Sequence, residues 1–154
     1  RKPTYKGTLV ISFRGTDDSL IGWKEDFNMA FQYPVPAQRS ASAYLDMVAR
    51  LWEGPIILVG HSKGGNLAIY AAMNADPKVR KRIQHVYSLD GPGFPPEIVT
   101  SPAYRTIQPK VTKIVPSSSP RSLAAWSLPI RMASCSIPPS PGYWMVTSSS
   151  PSRI

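Results

Sequence analysis

The chain has 154 residues and a formal net charge of +9. This length allows one domain with a substantial core, and no apolar run approaches the roughly 18 residues of a membrane span. All nine acidic residues lie between Asp17 and Glu97, whereas residues 98–154 hold six basic residues and no acid. Because much of the excess charge belongs to that last region, and no dense basic cluster is interleaved with aromatic residues, the composition argues against a nucleic-acid-binding protein.

The only cysteine, Cys135, cannot form an internal disulfide, and no signal peptide is visible. Both observations favour a reducing, cytoplasmic compartment. The first residue is Arg1, and a strand pattern begins almost at once. We therefore expect the chain to be cut out of a longer protein.

Strand and helix patterns alternate along the first three quarters of the chain. Apolar runs predict strands at residues 8–13, 56–59, 83–89 and 111–115. Residues 17–31 are turn-like and then amphipathic, a helix is predicted from Pro36 to about Trp52, and another runs to about Asn74, where Asp76-Pro77 ends it. This alternation predicts an α/β fold with a mostly parallel sheet and helices on both faces.

The second predicted strand leads directly into a Gly-x-Ser-x-Gly turn, which reads Gly60-His61-Ser62-Lys63-Gly64 and is followed by Gly65. Strand, sharp turn and helix with a serine at the apex are typical of the nucleophile elbow of an α/β hydrolase. We expect Gly60 and Gly64 to omit side chains that would collide across the turn, and Gly65 to let the helix approach the strand. An ordinary strand-to-helix turn with a capping serine is the alternative interpretation.

Two sequence blocks together resemble a known family. The block Val10-Ile-Ser-Phe-Arg-Gly-Thr16, followed by Trp23 and Asp26, is similar to the strand and loop before the elbow in class 3 (fungal-type) lipases, and the elbow resembles theirs with Lys63 where an apolar residue is more usual. Residues 5–116 resemble more closely still an uncharacterised bacterial family of lipase-like α/β hydrolases. Its members carry similar Phe-Arg-Gly-Thr-Asp, Gly-His-Ser-Lys-Gly-Gly-Asn and Leu-Asp-Gly-Pro-Gly blocks. Residues 117–154 do not share the likeness.

The resemblance implies an α/β-hydrolase fold, here truncated, and a serine hydrolase that acts on an acyl ester or lipid-like substrate without metal or cofactor. Ser62 would be the nucleophile, and the backbone N–H of Lys63 together with Thr16 would form the oxyanion hole. Asp90 is a candidate for the acid that orients a histidine, although a structural turn fits its glycine-rich setting equally well. Arg14 and Asp26 are interpreted as a structural ion pair that fixes the oxyanion loop.

A serine hydrolase of this kind needs a base within hydrogen-bond reach of the hydroxyl, and the chain has only two histidines. We expect the side chain of His61 to point into the packing around the turn. His85 begins a strand, at the opposite end of the sheet from Ser62, and is interpreted as structural. In hydrolase order the base should follow both Ser62 and Asp90, and no residue after His85 qualifies.

The tail has an unusual composition, because 18 of its 38 residues, 117–154, are serine or proline and none is acidic. A natural low-complexity linker is one interpretation. A frameshift near residues 117–119 is the other: shifting the reading by one base turns Tyr143-Trp-Met-Val146 into Leu-Asp-Gly. The same shift makes residues 135–143 compatible with Gln-His-x-Pro-x-Ser-Trp-Val, which is similar to the ending of the lipase-like family and contains its histidine.

The sequence therefore predicts a hydrolase core fragment at residues 1–116 and a frameshifted, disordered tail at residues 117–154. The favoured function is a cytoplasmic serine esterase whose present chain is an incomplete, inactive copy. The alternative is a non-catalytic lipase-like scaffold that binds a partner or an acyl ligand. A nucleic-acid binder would depend on the charge of the tail alone.

Overall fold

A computed structural model of the protein describes residues 7–15, 33–116, 131–136 and 145–147. Within these ranges the strands form a single sheet whose spatial order follows the chain: β1 (Leu9–Phe13), β2 (Ile56–His61), β3 (Ile83–Leu89), β4 (Val111–Pro116), β5 (Arg131–Ser136) and β6 (Met145–Thr147). Strands β1 to β5 run parallel, and β6 pairs antiparallel with β5.

The helices occupy the connections between the strands. They are α1 (Pro36–Leu51), α2 (Lys63–Asn74), α3 (Pro77–Arg82), α4 (Pro96–Val99) and α5 (Pro102–Ile107), with a short 3₁₀ turn at Gln108–Lys110. In the described ranges, every α-helix except α2 begins at a proline. The first helical residue has no intrahelical N–H bond to lose, so proline fits there and sets the backbone angle in advance.

The predicted α/β class is confirmed, and so is the mostly parallel sheet. The four predicted strands and the two predicted helices appear with bounds that differ by no more than two residues, and the chain ends one helix and starts the next at Asp76-Pro77. The Asp76 carboxylate accepts a hydrogen bond from the Lys78 N–H at 2.8 Å, which caps the new helix. The amphipathic pattern at residues 17–31 lies outside the described residues.

Three of the described helices form one layer on the sheet, and the expected helices on its second face stay a prediction, because the connections at residues 16–32 and 117–130 lie outside the described residues. Helix α1 packs on α2, and α2 packs on α5, so these three lie side by side on one face of the sheet. Along β2, Ile56 and Leu58 are fully buried under this layer, whereas the alternate residues Ile57 and Val59 are half-buried. The physical reason is topological: successive right-handed crossovers that always step in the same direction place their helices on the same face.

Part of the tail differs from the expectation of an unpaired segment. Residues 131–136 pair with β4, and residues 145–147 pair with β5. The free edge of β4 presents N–H and C=O groups that any extended backbone can satisfy, whatever its side-chain pattern. The remainder of residues 117–154 lies outside the described ranges.

Candidate active site

The strands next to the predicted elbow end at the same edge of the sheet. Phe13 on β1 lies opposite Gly60 on β2, and Gly60 lies opposite Ser88 on β3. Because all three strands run parallel, the segments that follow them emerge together. This edge therefore gathers the residues after Phe13, after Gly60 and after Ser88, which include most of the predicted site.

Ser62 occupies the tight turn between β2 and α2, with φ 52° and ψ −127°. A positive φ is unfavourable for a residue with a side chain and persists only where the surroundings enforce it. Here the Ser62 N–H donates to the Leu89 carbonyl at 2.8 Å, and the Ser62 carbonyl accepts from the Gly65 N–H at 2.9 Å. Two backbone hydrogen bonds thus hold the serine in its unusual conformation at the end of the sheet.

The glycines around Ser62 are explained by the close approach of neighbouring backbone. A Cβ added to Gly60 would lie 2.1 Å from the Gly64 carbonyl oxygen, and one added to Gly64 would lie 2.1 Å from the Phe13 carbonyl oxygen. A Cβ on Gly65 would meet the Ser88 hydroxyl at 2.6 Å. No side chain fits in these spaces, so the turn and the start of α2 can pack against β1 and β3 only with glycine.

The predicted oxyanion side of the turn is described in part. Lys63 is the first residue of α2, and the dipole at this end of the helix favours negative charge. Gly15 lies against the turn, since a Cβ added to it would come within 2.8 Å of the His61 carbonyl oxygen and 3.5 Å of the Ser62 Cβ. Thr16 lies outside the described residues, so its role in the oxyanion hole stays a prediction.

Asp90 follows β3 at the same edge and adopts a positive φ of 48°. Its N–H donates to the Ile114 carbonyl at 2.7 Å, which ties the start of the loop 90–93 to the next strand. Arg14 is exposed at the end of β1, and its predicted partner Asp26 lies outside the described residues. The acid role of Asp90 and the ion pair of Arg14 remain predictions.

Neither histidine follows both Ser62 and Asp90 in the chain, which is the order expected of the catalytic base. His85 pairs with Ile57 in the register, five residues before Ser62 and thus roughly 15 Å away along the strand. Its Nε2 lies 2.8 Å from the Thr112 hydroxyl, and its ring packs on Tyr87. His61 ends β2 with an exposed side chain, which differs from the packed position expected for it: the strand alternation turns it away from the helix layer.

A pocket of about 490 Å³ opens beside the turn. It lies at the ends of β1, β2 and β3, and its lining residues are Ser12, Phe13, Arg14, Gly15, Val59, Gly60, His61, Ser62 and Leu89. This volume is within the range of small-molecule sites. The strained serine therefore borders a space that a small ester could enter.

Two buried amides near the turn are site residues that the sequence analysis did not identify. Gln38 on α1 and Asn66 on α2 are 2% and 1% exposed, and they are hydrogen-bonded to each other at 2.8 Å. Asn66 also donates to the carbonyls of Pro92 and Gly93 at 3.2 and 3.1 Å. The available signal was the polar Asn66 directly before the apolar, buried run of residues 67–73 in the same helix.

Among the residues that the structure describes, no three His, Cys, Asp or Glu side chains come together in a way that could hold a metal ion. In the same part of the chain, no helix is long and apolar enough to cross a membrane.

A family model described as Mbeg1-like matches residues 3–121 of this chain. That range includes β1 to β4, the Ser62 turn and Asp90. The comparison with curated proteins and the comparison with solved structures each give no match.

Proposed function

The chain belongs to the Mbeg1-like family, and from this premise and the geometry of the Ser62 turn we propose that it derives from a serine hydrolase that cleaves an acyl ester. The observation that carries the proposal is the backbone of Ser62, held at φ 52° between a parallel strand and a helix at the mouth of a pocket. A capping serine would have ordinary extended angles and a side-chain bond to the helix, and Ser62 has neither.

In the proposed reaction the Ser62 hydroxyl oxygen attacks the ester carbonyl carbon while a base removes its proton. The negative charge that develops on the carbonyl oxygen is stabilised by the Lys63 N–H at the start of α2 and by Thr16. Collapse of the tetrahedral intermediate breaks the ester bond, and the leaving alkoxide takes the proton back from the base. Water then hydrolyses the acyl-serine, and Asp90 would orient the base throughout.

We propose further that the present chain has lost this base. His85 is held by Thr112 at the far end of the strand, and His61, which lines the pocket, precedes Ser62 instead of following both Ser62 and Asp90 as hydrolase order requires. Loss of a general base removes about 10²- to 10⁴-fold of rate. The chain should therefore keep a formed nucleophile site that reacts slowly.

The experiment supplies the missing base from solution. A fluorophosphonate, from which the serine oxygen displaces fluoride, is incubated with the full chain in buffer and in rising concentrations of imidazole. We expect slow labelling in buffer and about tenfold or faster labelling with imidazole, with mass spectrometry locating the adduct on Ser62. Ser62→Ala should abolish it. Ser88→Ala, the same change at a buried serine outside the pocket lining, should label like the parent chain.

Two outcomes would contradict the proposal. Absence of a Ser62 adduct at every imidazole concentration would exclude a competent nucleophile. Fast labelling in buffer that disappears in His61→Ala would identify His61 as the base and refute the claim that the base is lost.

A second candidate is a non-catalytic scaffold that binds an acyl ligand or a partner in the same pocket. The observation that favours it is the position of His85, bound to Thr112 and far from Ser62. A Ser62 that stays unreactive with imidazole, in a chain that still binds a fluorescent fatty acid, would support the scaffold over the enzyme.

A further inference from the structure

A chain of hydrogen bonds joins the beginning of α1 to the loop that carries Asp90. The Val35 N–H donates to Gln38 Oε1 at 2.9 Å, and Gln38 Nε2 donates to Asn66 Oδ1 at 2.8 Å. Asn66 Nδ2 then donates to the carbonyl oxygens of Pro92 and Gly93. Both amide side chains are almost completely buried, so these bonds do not compete with water.

The orientation of both amides is fixed by the backbone groups at the two ends of this chain. A backbone N–H can only donate, so Gln38 must present its oxygen to Val35 and its NH₂ group to Asn66. Asn66 must then accept with its oxygen, which leaves its NH₂ group for the two carbonyls. In this one arrangement each hydrogen-bond donor of the chain faces an acceptor. Reversing either amide would place a donor against a donor and an acceptor against an acceptor.

The same loop packs directly on the nucleophile turn. A Cβ added to Gly91 would lie 3.1 Å from the Asn66 backbone nitrogen and 3.1 Å from the Gly65 carbonyl carbon. Asp90 begins this loop, and the Ser62 N–H is bonded to Leu89 immediately before it. Asn66 therefore lies one helical turn after the serine and binds the loop at the first and second residues beyond Gly91.

We propose that Asn66 is a positioning residue, held in orientation by Gln38, which keeps Asp90 aligned with the Ser62 turn. The proposal rests on the proposed serine hydrolase function. Asn66 acts through the loop, since its donors bind the carbonyls of Pro92 and Gly93. It would account for a fully buried amide pair at a place where two apolar side chains would pack without the need for partners.

Gln38→Glu tests this network with little change of shape. Glutamate at this third helical position still accepts from the Val35 N–H, so the cap of α1 is preserved. The ionised carboxylate cannot donate to Asn66. If Asn66 keeps its oxygen against the carboxylate, the repulsion between them pushes Asn66 away and weakens its bonds to the two carbonyls. If its amide reverses, its oxygen faces the carbonyls and the loop is released.

We expect the effect of Gln38→Glu on the loop to depend on pH, whereas an effect caused by a change in side-chain packing would not. Below its pKa the new carboxylic acid carries a proton, donates to Asn66 and restores the native polarity; above it, the network is broken. Neither hydrogen-bond partner of this group, the Val35 N–H or Asn66, titrates. We expect hydrogen exchange in peptides covering residues 89–94 to match the parent chain at low pH, and to be about tenfold faster at high pH.

The functional readout is the imidazole dependence of Ser62 labelling above that pKa. If Asp90 orients the added imidazole, Gln38→Glu should raise the half-saturating imidazole concentration several-fold. Asn66→Ala should give the same shift and the same faster exchange at every pH. Ser88→Ala, which removes a buried hydroxyl that has no hydrogen-bond partner among the described residues, should change neither quantity.

Different results would overturn the positioning role of Asn66 and the serine hydrolase function. Native exchange at residues 89–94 in both Gln38→Glu and Asn66→Ala would overturn the positioning role, whatever the labelling. Faster exchange with an unchanged imidazole dependence would also overturn it, because the loop would then move without effect on the site. A parent chain that is never labelled at Ser62 would refute the serine hydrolase instead, and Asn66 would then be structural.

Discussion

Ser62 holds its unusual backbone because the surrounding backbone excludes the alternatives. Two hydrogen bonds, to Leu89 and from Gly65, fix its ends, and the glycines on either side let three strands approach the turn. Strain of this kind costs of order 1–3 kcal/mol and is supported by the rest of the fold. The residue scale is therefore where the case for a functional site is strongest.

The requirement for glycine at the turn can be measured. In Gly64→Ala the new Cβ would lie 2.1 Å from the Phe13 carbonyl oxygen, so β1 or the turn must shift. We expect the free energy of unfolding, from urea titration, to fall by about 3 kcal/mol or more. Gly93→Ala is the matched control, because a Cβ there meets nothing within 4 Å, and it should change stability by less than about 0.5 kcal/mol. Equal effects of the two changes would contradict this account.

Residue-scale features were predictable from sequence only where they are local. The three glycines around Ser62 follow from one six-residue motif, and the structure supplies the collisions that they avoid. The contact between Gln38 and Asn66 joins residues 28 apart in the sequence, and no pattern within either helix indicates it. The positive φ of Asp90 was also not predicted, because a glycine-rich setting indicates a turn without showing which of its residues adopts the left-handed conformation.

At the scale of elements, basic side chains bind the backbone carbonyls at the C-terminal ends of helices α1 and α3. Arg82 on α3 donates to the Trp52 carbonyl and, at 2.9 Å, to the Ala49 carbonyl at the end of α1. Lys110 donates to the carbonyls of Arg80 and Ile83 at 2.9 and 2.6 Å, and burial lowers the pKa of Lys110. Cations at helix C-termini satisfy carbonyls that have no intrahelical partner. Part of the positive charge in the described residues therefore stabilises the fold.

Helix α5 packs on the rest of the protein through Tyr104, and the ionisation of the Tyr104 hydroxyl provides a test of that packing. Tyr104 is 3% exposed, its ring contacts Phe94, and burial raises its pKa to about 12. The unfolded chain loses this proton near pH 10, so the stabilising contribution is complete below pH 10 and is lost as the pH rises towards 12. The free energy of unfolding should fall by roughly 3 kcal/mol over this range.

We expect the thermal midpoint to fall between pH 10 and pH 12, and Tyr104→Phe to reduce that fall. Part of the fall should remain, since burial also raises the pKa of Tyr33 to about 12. A Tyr104→Phe variant that loses stability with pH as steeply as the parent would show that this hydroxyl is not buried in solution.

The elements that sequence could predict are those with a long or strongly apolar pattern. Strands β1 to β4 and helices α1 and α2 have such patterns, whereas α4 and α5 span only four and six residues and begin at prolines. A segment this short shows no helical period. Strands β5 and β6 have no apolar alternation either, because backbone pairing at an open edge does not require one.

At the scale of the whole molecule, the topology brings the predicted nucleophile, oxyanion donor and acid to one edge of the sheet. Ser62, Lys63 and Asp90 all follow parallel strands at that edge, whereas His85 is held near the other. On the proposed function, the component still to be placed is a base that follows Asp90 in the chain. The shifted reading frame of the tail would supply that component after Asp90, in the order that a hydrolase requires.

The shifted reading frame of the tail can therefore be tested for function. A chain that keeps residues 1–116 and continues in the shifted frame regains a Gln-His motif. We expect it to label at Ser62 without imidazole, about 10²- to 10⁴-fold faster than the present chain, because a positioned base removes the proton during attack.

The matched control is the same chain with the restored histidine changed to glutamine, which should fall back to slow labelling and recover with imidazole. Equal thermal midpoints for the restored chain and its control would separate loss of the base from loss of folding. A restored chain that is folded but labels no faster than the present one would show that the shifted tail does not supply the base. The tail would then be a segment in its own right, paired to the edge of β4, and the scaffold would be the better account of the molecule.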